Sequence, residues 1–140
     1  MEIILSGDSM SPLICNNDKI KVQVYKKPRP VDSSLIGKIL LFNDHSEWIS
    51  HRLVKCNDQL FLKGDFGYAT DPAEKQLVWG EIIQVESNGK FINPNKFNKI
   101  VLFFSEHQLK SNSLAYKRTL KRIIFLINKI NRYSAKGARS

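Results

Sequence analysis

Residues 38–62 read KILLFNDHSEWISHRLVKCNDQLFL, and this stretch decides the fold. It contains three apolar runs of strand length, at 38–42, 48–54 and 59–62. An Asn-Asp pair at 57–58 supplies turn chemistry between the last two runs. Short apolar runs separated by turn residues are typical of antiparallel strands, so the stretch predicts a β-sheet unit.

The same pattern continues on both sides of this unit. Residues 19–25 alternate strictly between aliphatic and mostly polar side chains. Pro28 and Pro30 then predict the end of that strand, because proline cannot donate to a hydrogen-bond ladder. Gly80 predicts a bulge or a close backbone approach within a longer strand. Further strands are predicted at 2–5, 77–86 and 90–92. Residues 1–100 are therefore predicted to form a mainly β core of short, twisted strands.

The C-terminal part of the chain has a helical period instead. Residues 101–140 form a basic extension that is not an independent domain, and a helix is predicted over about 114–133. Ser111 or Ser113 can cap its start. Phe125 falls on the polar side of this helix, which indicates a second contact. The predicted apolar stripe consists of Tyr116, Leu120, Ile123, Ile124, Ile127, Ile130 and Tyr133.

Charge is distributed unevenly along the sequence. The chain carries 22 Lys and Arg against 13 Asp and Glu, a formal net charge of +9. Residues 101–140 hold nine cations and one acid, a net +8, whereas residues 1–100 hold 13 cations and 12 acids, a net +1. The excess therefore belongs to the predicted helix and its flanks. The basic face of that helix consists of Lys117, Arg118, Lys121, Arg122, Lys129 and Arg132.

Three interpretations of this basic face stay open. It is a solvated face of a helix docked on the β core, a contact with an anionic membrane surface, or a non-specific phosphate-binding surface for nucleic acid. No sequence-specific nucleic-acid recognition is expected. The apolar run at 3–5 is too short for a signal peptide, and no apolar run is long enough to span a bilayer. The sequence predicts a cytoplasmic protein, held at a membrane surface if the basic helix binds lipid.

Three short segments carry residues suited to chemistry. Residues 6–12 read SGDSMSP, where a serine after a glycine turn can expose its hydroxyl beside free backbone N–H groups. Residues 49–54 contain a histidine in an apolar strand, and residues 62–72 contain two aspartates in a glycine-rich loop. Each segment alone is more typical of a turn or a core histidine. Together they supply serine, histidine and carboxylate, the set that nucleophilic hydrolysis needs.

These motifs, in this order, resemble the signal peptidase I family, over about residues 3–90. The resemblance is to its archaeal and endoplasmic-reticulum type, which uses histidine where the common bacterial enzymes use lysine. The Gly-Asp-Ser-Met opening is also similar to the self-cleaving repressor peptidases of the same clan. The matching positions are Ser9-Met10-x-Pro12, His51-Arg52, Lys63-Gly64-Asp65 and Asp71.

The resemblance implies a serine peptidase with Ser9 as nucleophile and His51 as general base. It implies that Asp71 orients His51 and stabilises its cation, with Asp65 as the second candidate. The backbone N–H of Ser9, together with that of Met10, would hold the oxyanion. No metal or other cofactor is implied.

The same resemblance makes Met10 and Pro12 shape the turn and the floor of a substrate groove. Arg52 is expected to be structural, because alternation along the strand turns it away from His51. Gly7 stands where membrane signal peptidases often carry a hydroxyl that completes the oxyanion hole.

Members of the family usually carry a transmembrane helix directly before the serine, and only eight residues precede Ser9 here. The expected substrate is therefore the leader of a small precursor peptide rather than secretory proteins in general. Two alternatives stay open: a non-catalytic peptide- or membrane-binding module on the same fold, and a basic nucleic-acid-binding protein.

Overall fold

The computed structural model describes residues 1–4, 7–67 and 70–137. In those residues nine strands form one antiparallel sheet, accompanied by two α-helices. The strands are β1 (Glu2–Ile4), β2 (Lys19–Pro30), β3 (Ile39–Asp44), β4 (Glu47–Cys56), β5 (Gln59–Lys63), β6 (Thr70–Pro72), β7 (Leu77–Ser87), β8 (Lys90–Ile92) and β9 (Lys136–Gly137). The helices are α1 (Asn98–Lys110) and α2 (Leu114–Tyr133). The prediction of a mainly β fold with a C-terminal amphipathic helix is confirmed. Leu5, the last residue of the predicted first strand, lies outside the described residues.

The sheet is organised around β7. Its strand order is β1-β2-β7-β3-β4-β5-β6, and β8 pairs with both β7 and β9. One edge of β7 pairs with β2, whereas the other edge pairs with β3 near its start and with β8 near its end. β7 therefore joins two parts of the sheet.

β3 is buried on both of its faces. Ile39 and Leu41 belong to one hydrophobic core, and Leu40 and Phe42 belong to another. The first core is completed by Met10, Leu13, Ile14, Ile20, Val22, Ile82, Val85 and Ile92. The second core is completed by Leu35, Leu53, Leu62, Ala73 and Val78. A continuous apolar run, rather than an alternating one, is what burial on both faces requires.

The prediction that Pro28 and Pro30 end the second strand is wrong for Pro28, whereas Pro30 is the last residue of β2. β2 continues to Pro30, but its pairing with β7 is irregular between Val24, which lies opposite Gly80, and Arg29, which lies opposite Val78. Between these two pairs, β2 has five residue steps and β7 has only two. Pro28 therefore lies in an unpaired bulge of β2, where no backbone donor is needed.

The close backbone approach predicted at Gly80 is confirmed. A Cβ added at Gly80 would lie 2.6 Å from the carbonyl oxygen of Gln23 and 2.8 Å from Cγ1 of Val22. The pairing of β7 with β3 also shifts register next to Gly80. Only glycine therefore allows β2 and β7 to approach at this point.

Helix α1 is a second helix, which the sequence analysis did not predict. Its buried residues Val101, Ser105 and Gln108 do recur at helical spacing. Two of these three are polar, so the apolar period is weak, and the IVLFF run at 100–104 is equally compatible with a strand.

Helix α2 has the predicted bounds, and Ser113 is its N-cap, accepting a hydrogen bond from the Tyr116 N–H at 3.3 Å. The predicted docking stripe is wrong in part. The fully buried positions of α2 are Leu120, Ile124, Asn128 and Asn131, whereas Tyr116, Ile130 and Tyr133 are exposed. The docked face is rotated because it includes two asparagines, which a count of apolar residues assigns to the solvent side.

Neither helix in the described part of the chain is long and apolar enough to cross a membrane.

We expect Gly80→Val to lower the free energy of unfolding by about 1–3 kcal/mol, because the added side chain forces β2 and β7 apart. Urea unfolding monitored by circular dichroism measures the change. Ile83→Val, at an exposed position of the same strand, is the matched control and should change stability by less than about 0.5 kcal/mol. Equal stability of the two variants would contradict the close approach.

Candidate active site

Ser9 lies exposed in a tight loop that follows β1. Gly7 has a φ of 110°, a conformation that favours glycine, and its N–H donates to Oδ1 of Asn16 at 2.8 Å. The N–H of Ser11 donates to the carbonyl oxygen of Asp8 at 2.9 Å, closing a turn around Ser9. The loop therefore presents the Ser9 hydroxyl to solvent on a main chain fixed from both sides.

The Lys-Gly-Asp loop after β5 holds Ser9 from the other side. The N–H of Phe66 donates to the Ser9 carbonyl oxygen at 2.8 Å. A Cβ added at Gly64 would lie 2.6 Å from that same oxygen and 2.9 Å from the Ser9 Cβ. The N–H of Asp65 lies 3.4 Å from Sδ of Met10. The glycine of this motif is therefore required by the approach of two backbones, which brings two distant sequence motifs together.

His51 lines the same cleft as Ser9. The cleft has a volume of about 470 Å³ and opens between the Ser9 loop and the first half of β4. Its lining residues include Ile4, Ser9, Met10, Ile14, Trp48 and His51. The structure thus brings the predicted nucleophile and the predicted base into one cavity, although they are 42 positions apart in the sequence.

The imidazole of His51 is half-buried and packs edge-on against Phe42, with the ring centroids 5.7 Å apart. Its Nδ1 is buried and has no hydrogen-bond partner among the described residues. Burial lowers the pKa of His51 below its ordinary value of 6.5, and the charges of Asp71 and Asp65 oppose this only in part. Burial thus favours the neutral form of the His51 imidazole.

The predicted oxyanion donors are the backbone N–H groups of Ser9 and Met10. In the described residues, no hydrogen bond uses the backbone N–H of Ser9 or of Met10. Met10 is buried and lines the cleft, as predicted for the groove floor. Pro12 does not: it is buried, and its carbonyl oxygen accepts a hydrogen bond from Arg132 at 3.3 Å. Its predicted place in the groove is therefore not observed.

Asp65 forms a buried ion pair instead of contacting His51. Its two carboxylate oxygens accept from Nε and Nη2 of Arg52 at 2.9 and 2.8 Å, and both side chains are 1% exposed. Asn128 of α2 donates to the same carboxylate at 2.9 Å. Burial by itself raises the pKa of Asp65, but Arg52, Lys63 and Asn128 outweigh it and hold that pKa below its ordinary value. Asp65 is thus an ionised structural group, and its expected role as a second orienting group for His51 is not observed.

The guanidinium of Arg52 also donates hydrogen bonds to two other parts of the fold. Its Nη1 donates to the carbonyl oxygen of Gly37 at 3.0 Å and to the side chain of Asn98 at the start of α1. The expectation that Arg52 is structural and points away from His51 is consistent with these contacts.

Asp71 is exposed in β6, opposite Leu62 of β5. Leu62 in turn lies opposite Leu53 of β4, so the register places Asp71 on the same face of the sheet as His51. Two strand spacings, about 10 Å, separate the strands that carry them. Among the described residues neither Asp71 nor Asp65 forms a hydrogen bond to His51. The two residues between this strand and Gly67, Tyr68 and Ala69, lie outside the described residues.

Lys63 is a buried group that the sequence analysis did not single out beyond its motif. It is 0% exposed, and its Nζ donates to the carbonyl oxygen of Gly64 at 3.1 Å. Burial lowers the pKa of Lys63 to about 8, with the charge of Asp65 opposing. Lys63 lies opposite Arg52 in the β4–β5 ladder, so the two cations share the charge of one carboxylate.

The six basic residues of α2 do not form one free surface. Arg132 donates to the buried carboxylate of Asp18 at 2.6 and 3.1 Å, and its assignment to a membrane or anionic partner is wrong. Lys121 lies over the ring of Phe66, with its Nζ 4.2 Å from the centroid. Lys117 is half-buried, whereas Arg118, Arg122 and Lys129 are exposed.

Asn128 and Asn131 are the site-supporting residues that the sequence analysis missed. Asn131 donates to the carbonyl oxygen of Asn93 at 2.9 Å, as Asn128 does to Asp65. Both continue the face that begins with Leu120 and Ile124, at helical spacing. An amide on an otherwise apolar helix face is the signal that could have identified them, since a buried amide needs a partner.

No protein-family model matches this chain, and neither a curated protein nor a solved structure was found that matches it. In the described residues, no three His, Cys, Asp or Glu side chains are grouped so that they could hold a metal ion.

We expect Arg52→Leu to lower the free energy of unfolding by about 3–5 kcal/mol, because it leaves the buried carboxylate of Asp65 without its cation. Urea unfolding at neutral pH measures this. Arg29→Leu removes the same type of side chain from the exposed Arg29–Asp32 pair, and it should cost less than about 1 kcal/mol. Comparable losses in both variants would contradict the supporting role of the buried pair.

Proposed function

We propose that the protein is a serine endopeptidase that cleaves an extended leader or precursor peptide by acyl transfer through Ser9 and His51. The observation that carries this proposal is that both side chains line one cleft, with the serine exposed and the histidine held as a neutral base. The resemblance of the same residues to signal peptidase I motifs supports it independently of the geometry.

The free edge of β4 supports an extended substrate. Residues 47–52 of β4 pair with β3 on one side. On the other side, β5 pairs only with residues 52–56, so in the described ranges no strand occupies the edge at 47–51. A peptide can add there as an extra strand, with its main chain hydrogen-bonded and its side chains directed alternately into the cleft. This edge ends at His51, which lines the same cleft as Ser9.

The chemistry follows from these positions. Oγ of Ser9 attacks the carbonyl carbon of the scissile bond while Nε2 of His51 accepts the hydroxyl proton. The backbone N–H groups of Ser9 and Met10 stabilise the oxyanion. The C–N bond then breaks, and the imidazolium of His51 gives its proton to the leaving amine. Water attacks the Ser9 ester with His51 again as base, which releases the acid product and restores the serine.

Asp71 acts on His51 through its charge in this proposal. Its carboxylate favours the imidazolium that forms during acylation, since an opposite charge stabilises the protonated form. β6 is a three-residue strand at the end of the main strand order, and it pairs with β5. An edge strand of this length can shift towards the buried Nδ1 of His51 when a peptide binds.

A non-catalytic peptide-binding module is the second candidate. The observation that favours it is the absence, among the described residues, of any hydrogen bond from the His51 imidazole to a carboxylate. Such a module would bind peptide along β4 without forming an ester at Ser9. A serine-reactive acylating probe separates the two functions, because only the peptidase should show a mass shift located to Ser9.

We expect Ser9→Ala to abolish both the probe adduct and peptide cleavage, with a loss on the order of 10⁴-fold in kcat/KM. Proteome-derived peptides serve as the substrate pool, with new termini identified by mass spectrometry. Ser11→Ala removes a neighbouring hydroxyl and should retain labelling and cleavage. Cleavage that persists in Ser9→Ala would falsify the catalytic assignment.

The acid limb of kcat/KM should have its midpoint below the ordinary histidine pKa of 6.5, because burial lowers the pKa of His51 and the base must be neutral. Asp71→Asn removes a charge that raises this pKa, so the acid limb of kcat/KM should move to lower pH. Asp58→Asn, at a side chain 97% exposed in a different turn, should leave the profile in place. An acid limb that moves to higher pH in Asp71→Asn contradicts the electrostatic role.

A further inference from the structure

A second cavity lies between helix α2 and Phe66, a residue of the loop that holds Ser9. It has a volume of about 530 Å³. Its lining residues are Phe66, Arg118, Lys121, Arg122, Phe125 and Leu126. We refer to these six residues as the Phe66 pocket. The pocket joins the Lys-Gly-Asp loop to helix α2, and the mechanism above does not use it.

The apolar side chains of the pocket are partly exposed to solvent. Leu126 is 56% exposed, and the rings of Phe66 and Phe125 meet at a centroid distance of 6.1 Å. Two aromatic rings and an aliphatic side chain that border an open cavity are suited to an apolar side chain of a ligand.

Among the described residues, the polar side chains that line the pocket are all cationic: Arg118, Lys121 and Arg122. Within the described residues, none of these three cations forms a salt bridge. Three cations around an apolar cavity favour a ligand that combines carboxylates with an apolar group.

The pocket is connected to the nucleophile through one residue. The N–H of Phe66 binds the Ser9 carbonyl oxygen at 2.8 Å, while the ring of Phe66 forms a wall of the pocket. The Phe66 side chain therefore lies on the order of 10 Å from the Ser9 backbone, which is about three residues of extended peptide. A peptide whose scissile bond lies at Ser9 therefore reaches the pocket, in the proposed complex, with residues a few positions from that bond.

We propose that the Phe66 pocket binds an acidic segment of the substrate peptide that carries a large apolar side chain a few residues from the cleaved bond. The inference rests on the proposed function, because its occupant is the substrate. The apolar side chain contacts Phe66, Phe125 and Leu126, and the flanking carboxylates of the peptide pair with the three cations. The enzyme therefore selects precursors by a sequence feature beside the cleavage site.

The first experiment measures binding separately from cleavage. The Ser9→Ala protein is titrated into a fluorescein-labelled peptide containing Asp-Asp-Leu-Phe and into a matched peptide containing Lys-Lys-Leu-Phe, with fluorescence anisotropy as the readout. We expect the acidic peptide to bind at least about tenfold more tightly, with a difference that shrinks as salt is added. Equal affinity for the two peptides would overturn the inference.

Variants of α2 then locate the binding. Arg122→Glu should weaken binding of the acidic peptide by about tenfold or more, whereas Lys129→Glu makes the same charge change outside the pocket and should have little effect. Leu126→Ala should also weaken it, and Ile130→Ala, at a comparably exposed position outside the pocket, is its control. Equal effects within either pair would show that the peptide binds elsewhere, and would overturn the inference.

Cleavage of the proteome-derived peptides separates the two proposals. The wild-type protein should favour peptides with Asp or Glu next to a large apolar residue within about five residues of the cleaved bond, and Arg122→Glu should lose that preference. Ser9-dependent cleavage without this preference would contradict the proposed role of the pocket and support the peptidase proposal. Selective binding of the acidic peptide at the pocket, with no Ser9-dependent cleavage, would support the proposed role of the pocket and contradict the peptidase proposal.

Discussion

The buried ion pair between Arg52 and Asp65 is the interaction on which the candidate site depends. Arg52 is the next residue after His51 in β4, and Asp65 lies between Gly64 and Phe66, the two residues that hold Ser9. The pair therefore fixes the strand that carries His51 against the loop that holds Ser9. Gly37, Asn98 and Asn128 complete its hydrogen bonds, so a turn and both helices converge on the same guanidinium–carboxylate contact.

Such a pair is not explained by stability alone, because two well-packed apolar side chains of similar volume often stabilise a core as much. Its geometry explains it better. Two parallel hydrogen bonds of 2.9 and 2.8 Å define both the distance and the orientation between β4 and the loop, which an apolar contact would leave freer to slide. His51 and Lys63 lie next to this pair and are themselves buried. Their burial lowers the pKa of His51 and lowers that of Lys63 to about 8. We infer that the fold uses ionic contacts to position a site whose base it keeps neutral by desolvation.

The sequence predicted the features that depend on local patterns. Alternation, turn residues and helical spacing located most strands and the bounds of α2, and the glycine in β7 indicated a close approach. The errors concern polar residues whose partners are far away in the chain. Asn128 lies 63 positions from Asp65, and Arg132 lies 114 positions from Asp18. Local periodicity assigns such residues to solvent, so the docked face of α2 was misplaced and α1, whose buried face is largely polar, was not predicted. The motif order placed Ser9 and His51 correctly in one cleft, but it could not show that Asp65 is already paired with Arg52.

Helix α2 connects the geometry of the cleft with the charge of the C-terminal region. Asn128 and Arg132 on one side of the helix bind carboxylates of the β core, Asp65 and Asp18, so part of the positive charge is structural. One turn earlier, Arg122 and Phe125 border the Phe66 pocket from the same helix. The helix that borders this pocket therefore also carries Asn128, which donates to Asp65. Asp65 in turn belongs to the loop that holds Ser9. The basic extension thus supports the loop that holds Ser9, through Asn128 and Asp65, as well as carrying the exposed cations of α2.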